Sequence, residues 1–180
     1  MGTRKVKLTG LAYWSKVFAD NRDLTGFEDS LKDSGGQCTI DVDLDAESFA
    51  KLSQSKSMLR GKESPDNEGM TRVRFKRKWE EKFAGGAPKV VKDDGSVWDY
   101  DEDGSIGNGS TVEVILNVYD TSRKNIIGTR LEKVKVTNHV EYVPDDDDED
   151  DAPPPKPVAK AAAKPAPKVY TTEDDEIPFD

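Results

Sequence analysis

The chain has 180 residues, a formal net charge of −9, a hydrophobic content of 34% and one cysteine. A single cysteine excludes an internal disulfide framework, and no apolar stretch approaches the ~20 residues that a membrane-spanning helix needs. The N-terminal residues are not followed by the apolar core of a secretory signal. These features predict a soluble, intracellular protein without a membrane segment.

The charge divides the chain into two parts. Residues 144–180 contain 12 acids and 4 lysines, a charge of −8, so residues 1–143 carry only −1 of the total −9. The near-neutral part holds most of the hydrophobic residues and predicts one folded domain, 1–143. The second part consists of an acidic block, a proline-alanine-lysine spacer and the terminal segment "TTEDDEIPFD". It cannot bury enough apolar surface to offset chain entropy, so 144–180 is predicted to be a disordered tail.

The first predicted elements are two strands and a helix. The N-terminal segment "RKVKLTGLAYWSKVF" is predicted to be a strand, and "QCTIDVDL" alternates strictly, which indicates a second strand with one buried face. Asp45 then offers an N-cap for a short helix near Ala46 to Met58. The sole cysteine, Cys38, lies on the buried face and is predicted to be an unreactive core thiol.

The segment "MTRVRFKRKWEEKF" predicts a strand with two unlike faces. Val73 and Phe75 share one face with Arg77 and Trp79, and the other face is a row of four cations, Arg72, Arg74, Lys76 and Lys78. Beyond it come "PKVV", a turn at "DDGS", an acidic glycine-rich loop, the strand "TVEVILNVYD" and a last long strand over Thr129–Val143. About five strands and one helix predict a mainly β fold, with a five-stranded antiparallel OB-type barrel as the favoured architecture.

No residues in the sequence form a recognisable catalytic or cofactor site. His139 is the only histidine and Cys38 lies about a hundred residues away, so neither a Cys/His pair nor a metal-ligand spacing is present. The acidic loop at 93–103 lacks the ligand spacing and closing glutamate of a calcium loop, and a solvated turn is expected there. We therefore predict a non-enzymatic protein without a metal or other cofactor.

The cation row favours nucleic-acid binding. Same-face residues of a strand stand about 6.6–7 Å apart, which is comparable to the phosphate spacing of an extended single strand. Single-stranded nucleic acid is held by such a charged groove together with aromatic rings on which bases stack. The candidate rings are Tyr13, Trp14, Trp79 and Trp98, and the further candidate phosphate ligands are Lys16, Lys133 and Lys135.

Each candidate also has a structural alternative. Trp79 has the parity of the core residues Val73 and Phe75, and the neighbours Tyr13 and Trp14 point to opposite faces, so one of them is expected to be buried. The cation row is also compatible with a solvated sheet face.

The acidic tail is expected to act on the same groove. A mobile polyanion tethered to the domain competes with weakly held nucleic acid and yields to tightly held strands. A flexible-coil estimate gives the tip a reach of about 30 Å, enough to touch any face of its own domain or a second protein.

Several motifs resemble a known family. The tip "DDEIPF" is similar to the acidic tip of bacterial single-stranded DNA-binding proteins. The body resembles the single-stranded DNA-binding replication proteins of tailed phages in its N-terminal strand with an aromatic pair, its "VDL" strand leading into a helix, "PKVV" before a turn, "TVEVILNVY", and "GTRLEKVKVTNHVEYV" before the acids.

The resemblance implies an OB-fold protein that coats single-stranded DNA in phage replication, recombination and repair, in the cytoplasm of a bacterial host. It also implies that the tip docks on replication proteins such as a DNA polymerase or a helicase/primase. Phe179 would be the anchor, Ile177 and Pro178 would shape the turn, and Asp174, Asp175 and Glu176 would supply charge; in this chain Asp180 follows the ring. A homodimer is left open.

Two rival hypotheses remain at this point. The chain is alternatively an acidic DNA mimic or chaperone that sequesters basic partners through its tail, or an RNA-binding OB module. Removal of residues 144–180 tests the acidic-mimic hypothesis, because a DNA-binding protein would keep its DNA binding without them. Competition between DNA and RNA tests the RNA-binding hypothesis.

Overall fold

The computed structural model describes residues 2–31, 34–80 and 85–142, and this part of the chain is mainly β. Its strands are β1 (Thr3–Lys16), β2 (Gln37–Leu44), β3 (Lys62–Glu63), β4 (Thr71–Lys78), β5 (Lys89–Lys92), β6 (Ser110–Asp120) and β7 (Ile127–Asn138). Its helices are α1 (Ala46–Gln54) and α2 (Tyr100–Asp103), with a 3-10 turn at Phe27–Asp29. Neither α-helix in these ranges is long and apolar enough to cross a bilayer.

All seven strands belong to one sheet, in the order β3-β4-β2-β1-β6-β7-β5. Neighbours are antiparallel except for β5 and β7, which are parallel. The sequence predicts five strands and one helix. The additions are the short edge strands β3 and β5 and the four-residue α2, which are too short to leave a clear periodic signal. In the described residues the paired order begins at β3 and ends at β5, so the closed five-stranded barrel is not confirmed.

Arg77 links β4 to β7 on the inner side of the curved sheet. Its Nη1 donates to the Leu131 carbonyl at 3.0 Å and to Glu132 Oε2 at 3.0 Å, and its side chain is only 11% exposed. The sequence places Arg77 on the same face as Val73 and Phe75, and this is confirmed. A charge on the core face is tolerated because a carboxylate and a backbone carbonyl satisfy it.

The core lies between the inner sheet face and α1. Ile40, Val42 and Leu44 of β2 are fully buried, and Leu52 of α1 is 1% exposed. The predicted N-cap is confirmed, since Asp45 Oδ1 accepts a 2.7 Å hydrogen bond from the Ser48 amide. Fixing the start of α1 in this way directs Leu52 toward the sheet.

Cys38 is the buried thiol that the sequence predicts. Its side chain is fully buried, and burial raises its pKa to about 11. The thiolate is the reactive form of cysteine, so this group is inert at neutral pH.

Gly10 allows β1 and β2 to approach closely. A Cβ at this position would lie 2.3 Å from the Asp43 carbonyl oxygen and 2.6 Å from Val42 Cγ1. We therefore expect Gly10→Ala to lower the free energy of unfolding by about 1–3 kcal/mol, as overpacking does in tight interiors. Chemical denaturation measures this.

The matched control is Gly2→Ala, whose added Cβ would make only an ordinary 3.6 Å contact with Asp120 Oδ2. It should change the free energy of unfolding by less than about 0.5 kcal/mol. Equal destabilisation by the two substitutions would contradict the steric explanation.

Candidate nucleic-acid interface

The cation row stands on the outer face of β4, as the sequence predicts. Val73 and Phe75 are each 1% exposed on the core side, so the alternating Arg72, Arg74, Lys76 and Lys78 belong to the opposite side. Their partners across β2 are Asp43, Asp41, Thr39 and Gln37, in that order. The two arginines at one end of the row are therefore opposite aspartates, and the two lysines at the other end are opposite neutral residues.

Arg72 is held in a buried ion pair. Its Nε donates to Asp43 Oδ1 at 2.7 Å, its Nη2 donates to Asp43 Oδ2 at 3.0 Å, and the same Nη2 reaches Asp66 Oδ2 at 2.7 Å. The Arg72 side chain is 12% exposed and that of Asp43 is fully buried. The guanidinium also lies 4.1 Å from the centroid of the Tyr13 ring. Arg72 is thus committed to two carboxylates and one aromatic face.

Asp43 is the centre of this polar cluster. It accepts hydrogen bonds from the Ser64 hydroxyl and from Asn67 Nδ2, the latter at 2.8 Å, in addition to those from Arg72. Burial by itself would raise the pKa of Asp43, but the hydrogen bonds from Arg72, Ser64 and Asn67 outweigh it and hold the pKa below the usual value. The cluster keeps Asp43 ionised and fixes the turn that precedes β4.

Tyr13 lies beneath Arg72 and closes the same cluster. Its hydroxyl accepts a 2.9 Å hydrogen bond from Asn67 Nδ2, and the residue is only 4% exposed. Burial raises the pKa of its phenol. This placement favours the structural alternative for Tyr13, and stacking of a base on its ring stays a prediction.

Arg74 is paired but accessible. It makes a bidentate contact with Asp41, at 2.6 and 2.8 Å, yet 58% of its side chain remains exposed. The free edge of a guanidinium paired in this way still has N–H groups that can donate to a phosphate.

Three lysines lie together at the neutral end of the row. Thr39 of β2 lies between two of them, because it pairs with Lys16 of β1 on one side and with Lys76 of β4 on the other. Lys78 follows Lys76 by two residues along β4. All three are exposed. In the described ranges none of them has a carboxylate within 4 Å, so their charges are available to an anionic ligand.

Lys133 and Lys135 lie further round the sheet. They belong to β7, which β6, β1 and β2 separate from β4 in the paired order. Lys135 forms a 3.1 Å ion pair with Asp93, and its partner across β6 is Glu113. The structure does not place these two lysines in the cluster with Lys16, and phosphate contacts by them stay predictions.

Trp14 sits at a β-bulge that the sequence does not reveal. The register of β1 against β2 shifts between Tyr13 and Lys16, and Trp14 has a φ of 50°. Its amide donates to Asn108 Oδ1 at 2.8 Å. The half-buried residue lines a cavity of about 160 Å³ next to Lys16.

The two remaining tryptophans differ in their surroundings. Trp98 is 8% exposed, its Nε1 donates to the Gly104 carbonyl at 2.9 Å, and the His139 ring meets it edge-on at 4.8 Å. Trp98 is thus part of the core. Trp79 follows β4, is half-buried and carries the Arg22 guanidinium 4.3 Å from its ring centroid. Both remain predicted platforms, although the burial of Trp98 favours a structural role.

Sequence reasoning missed two aromatic residues, one exposed in a loop and one in the cavity beside Trp14. Phe27, in the loop between β1 and β2, is 81% exposed, and its isolation in a polar segment was the available signal. Tyr142 lines the same cavity as Trp14. No sequence pattern points to it, because the two residues are brought together only by the path of the chain after β7.

The acidic loop forms local structure. Asp94 closes a turn by accepting from the Ser96 amide at 2.8 Å, Asp99 caps α2 by accepting from the Asp101 amide at 2.9 Å, and Asp103 pairs with Lys92 at 2.7 Å. In the part of the chain that the structure describes, no group of acids, histidines or cysteines has a metal-binding arrangement. The predicted tail, and with it the partner-binding residues 174–179, lies outside the described residues.

No protein-family model and no curated protein sequence matches the chain. Solved structures do match it. The single-stranded DNA-binding protein of bacteriophage Enc34 aligns with a TM-score of 0.52 and 13% identity, over 82% of this chain and 87% of that one. The same phage protein in complex with single-stranded DNA aligns with a TM-score of 0.53 and 16% identity, over 78% and 88%.

A second phage protein gives the same result. Gp2.5, the single-stranded DNA-binding protein encoded by bacteriophage T7, aligns with a TM-score of 0.51 and 13% identity, over 81% of this chain and 92% of that one. The chain thus has the fold of phage single-stranded DNA-binding proteins.

Proposed function

We propose that this chain is a non-enzymatic protein that binds single-stranded DNA without strong sequence preference. The observation that carries the proposal is the exposed cationic end of the β4-β2-β1 face, formed by Lys16, Lys76, Lys78 and the accessible edge of Arg74. It occurs in a fold for which one of the similar solved proteins is a complex with single-stranded DNA. An OB-type barrel is the architecture in which such a face serves as a binding groove.

The predicted site residues divide by their surroundings. Lys16, Arg74, Lys76 and Lys78 are proposed to contact phosphates, with Lys133 and Lys135 as more distant contributors. Arg72 is proposed to organise the groove through its pair with Asp43, because its donors are already engaged. Trp14 is the ring best placed to meet a base beside the lysines.

In the cell the protein is proposed to coat and protect single-stranded DNA during phage replication, recombination and repair in the host cytoplasm. The acidic tail, 144–180, is proposed to compete for the groove and, when displaced, to recruit replication proteins such as a polymerase or a helicase/primase through Ile177, Pro178 and Phe179. The acids Asp174, Asp175 and Glu176 would meet basic groups on that partner.

A titration with oligo-dT tests the function. Binding should quench tryptophan fluorescence through stacking, and removal of residues 144–180 should leave the affinity equal or higher, because a tethered polyanion no longer competes. The dissociation constant of each form, measured at several salt concentrations, provides the readout. Lack of binding by both forms would favour the acidic DNA mimic, and preference for oligo-U in direct competition would favour the RNA-binding module.

A further inference from the structure

The cavity beside Trp14 has the properties of a pocket for a nucleobase. Its volume is about 160 Å³, and two aromatic residues line it, Trp14 from β1 and Tyr142 from the segment after β7. Ser15, Lys16, Ser105 and Asn108 complete its lining with polar groups. A concave site with aromatic walls and a few polar groups is typical of sites that bind a small planar ligand.

The backbone is distorted so that Trp14 takes this position. A φ of 50° is an outlier for a bulky residue, and it occurs inside the bulge where β1 changes register against β2. Asn108 is 7% exposed and stabilises the distortion by accepting the Trp14 amide proton. Strain and bulges of this kind are found where a side chain must be re-aimed for binding.

The part of the lining that includes Gly107 and Tyr142 is held by close backbone packing. Gly107 donates to the Val140 carbonyl at 3.1 Å, and a Cβ on Gly107 would lie 2.1 Å from that oxygen. Ile106 and Glu141 form an antiparallel bridge beside it. The chain after β7 can pass over residues 106–107 because a glycine stands there, and this path delivers Tyr142 to the cavity.

One residue of the lining, Ser15, has an unsatisfied hydroxyl in the described part of the chain. Ser15 Oγ is buried and has no hydrogen-bond partner in the described residues. Such a group is costly unless a ligand or solvent satisfies it, and a hydroxyl can rotate about χ1 to meet one. The edge of a base carries donors and acceptors that would do so.

We propose that this pocket receives a single nucleobase of the bound strand, in contact with the rings of Trp14 and Tyr142, with the adjoining phosphate on Lys16. The inference rests on the proposed function and goes beyond it, because it assigns one nucleotide of the strand to one defined pocket. Lys16 is the link, since it lines the pocket and also stands in register with Thr39 and Lys76 on the cationic face.

An abasic scan tests the pocket. In the shortest oligo-dT that binds with full affinity, each base is removed in turn while its phosphate is kept. Removal at one position should weaken binding roughly tenfold, the effect of one stacked base, with an unchanged salt dependence. A uniform small loss at every position would contradict a single base-binding pocket.

Two variants then assign the position to this cavity. Tyr142→Ala removes one aromatic ring from the pocket, and Ser105→Phe fills the space. Each variant should therefore bind intact oligo-dT roughly tenfold more weakly than the wild type does. Neither variant should lose further affinity when the base at the sensitive position is removed. The control Lys76→Gln acts on the open face, so the abasic loss should remain. If both pocket variants bind like the wild type, or if their losses add to the abasic loss, the pocket assignment fails while DNA binding stands. If no oligo-dT binds at all, the proposed function itself fails.

Discussion

Replacing Lys16, Lys76 and Lys78 together by glutamine is expected to weaken oligo-dT binding about a hundredfold at 0.1 M salt. The three ammonium groups are exposed and have no ion-pair partner in the described ranges. Each phosphate contact on a single strand contributes about 0.7 to the slope of log K against log salt, so three lost contacts remove about 2 units of slope and, at 0.1 M, about two decades of affinity. Titrations from low to high salt measure both quantities.

The matched control changes charge by the same amount elsewhere. The control variant replaces three exposed cations, Lys56, Arg123 and Lys124. Lys56 follows α1, and the other two lie in the turn between β6 and β7. That turn is next to the N-terminal end of β1, whereas Lys16 is at the C-terminal end of the same strand. Their replacement by glutamine should leave the salt slope unchanged. If the two triple variants lose affinity and slope equally, binding is a property of net charge, and the proposed face is wrong.

Asp43→Asn is expected to be the most destabilising of the simple polar substitutions on this face, at about 3–5 kcal/mol. It removes the carboxylate that balances Arg72, whose side chain is only 12% exposed, and leaves a buried charge without its main partner. The control is Asp41→Asn, since its partner Arg74 is 58% exposed and can be solvated. That substitution should cost no more than about 1 kcal/mol. Chemical denaturation of both variants measures the difference.

The same pair predicts a pH dependence. The pKa of Asp43 is lower in the folded protein than in the unfolded chain. Its contribution is therefore complete above the unfolded value of about 4, and is lost as the pH falls through the lower folded value. The difference in free energy of unfolding between wild type and Asp43→Asn should thus be constant near neutral pH and shrink in acid. A difference that grows toward low pH would rule out Asp43 as the ionised partner.

Much of the fold could be predicted from local patterns. Strict alternation identified β2 and β4 and the residues of each that face the core, because such residues must recur every two positions along a strand. The single buried face predicted for β2 is wrong, since Thr39, Asp41 and Asp43 on its other face are 8%, 6% and 0% exposed. The cap at Asp45 identified the start of α1. The short elements β3, β5 and α2 were not predicted, since two to four residues are too few to display a period.

The candidate site was predicted in part. Alternation correctly grouped the four cations on one face of β4, but it carries no information about what stands opposite them. The register of β2 against β4 decides that Arg72 meets Asp43 and Arg74 meets Asp41, while Lys76 and Lys78 meet Thr39 and Gln37. Of the four cations, the two arginines thus have carboxylate partners, and the two lysines have none among the described residues.

The sequence alone determined the division into a near-neutral part and an acidic part, the mainly β class and the presence of a cationic strand face. These follow from composition and from periods of a few residues, which need no knowledge of distant contacts. Only the tertiary structure decided which charges have no ion pair among the described residues, that Trp98 and Tyr13 are buried, and that Trp14 and Tyr142 line the same cavity. Residues 14 and 142 line one cavity because of the β-bulge in β1 and the close passage of residue 140 over Gly107. These contacts join distant parts of the chain, so no local sequence pattern predicts them.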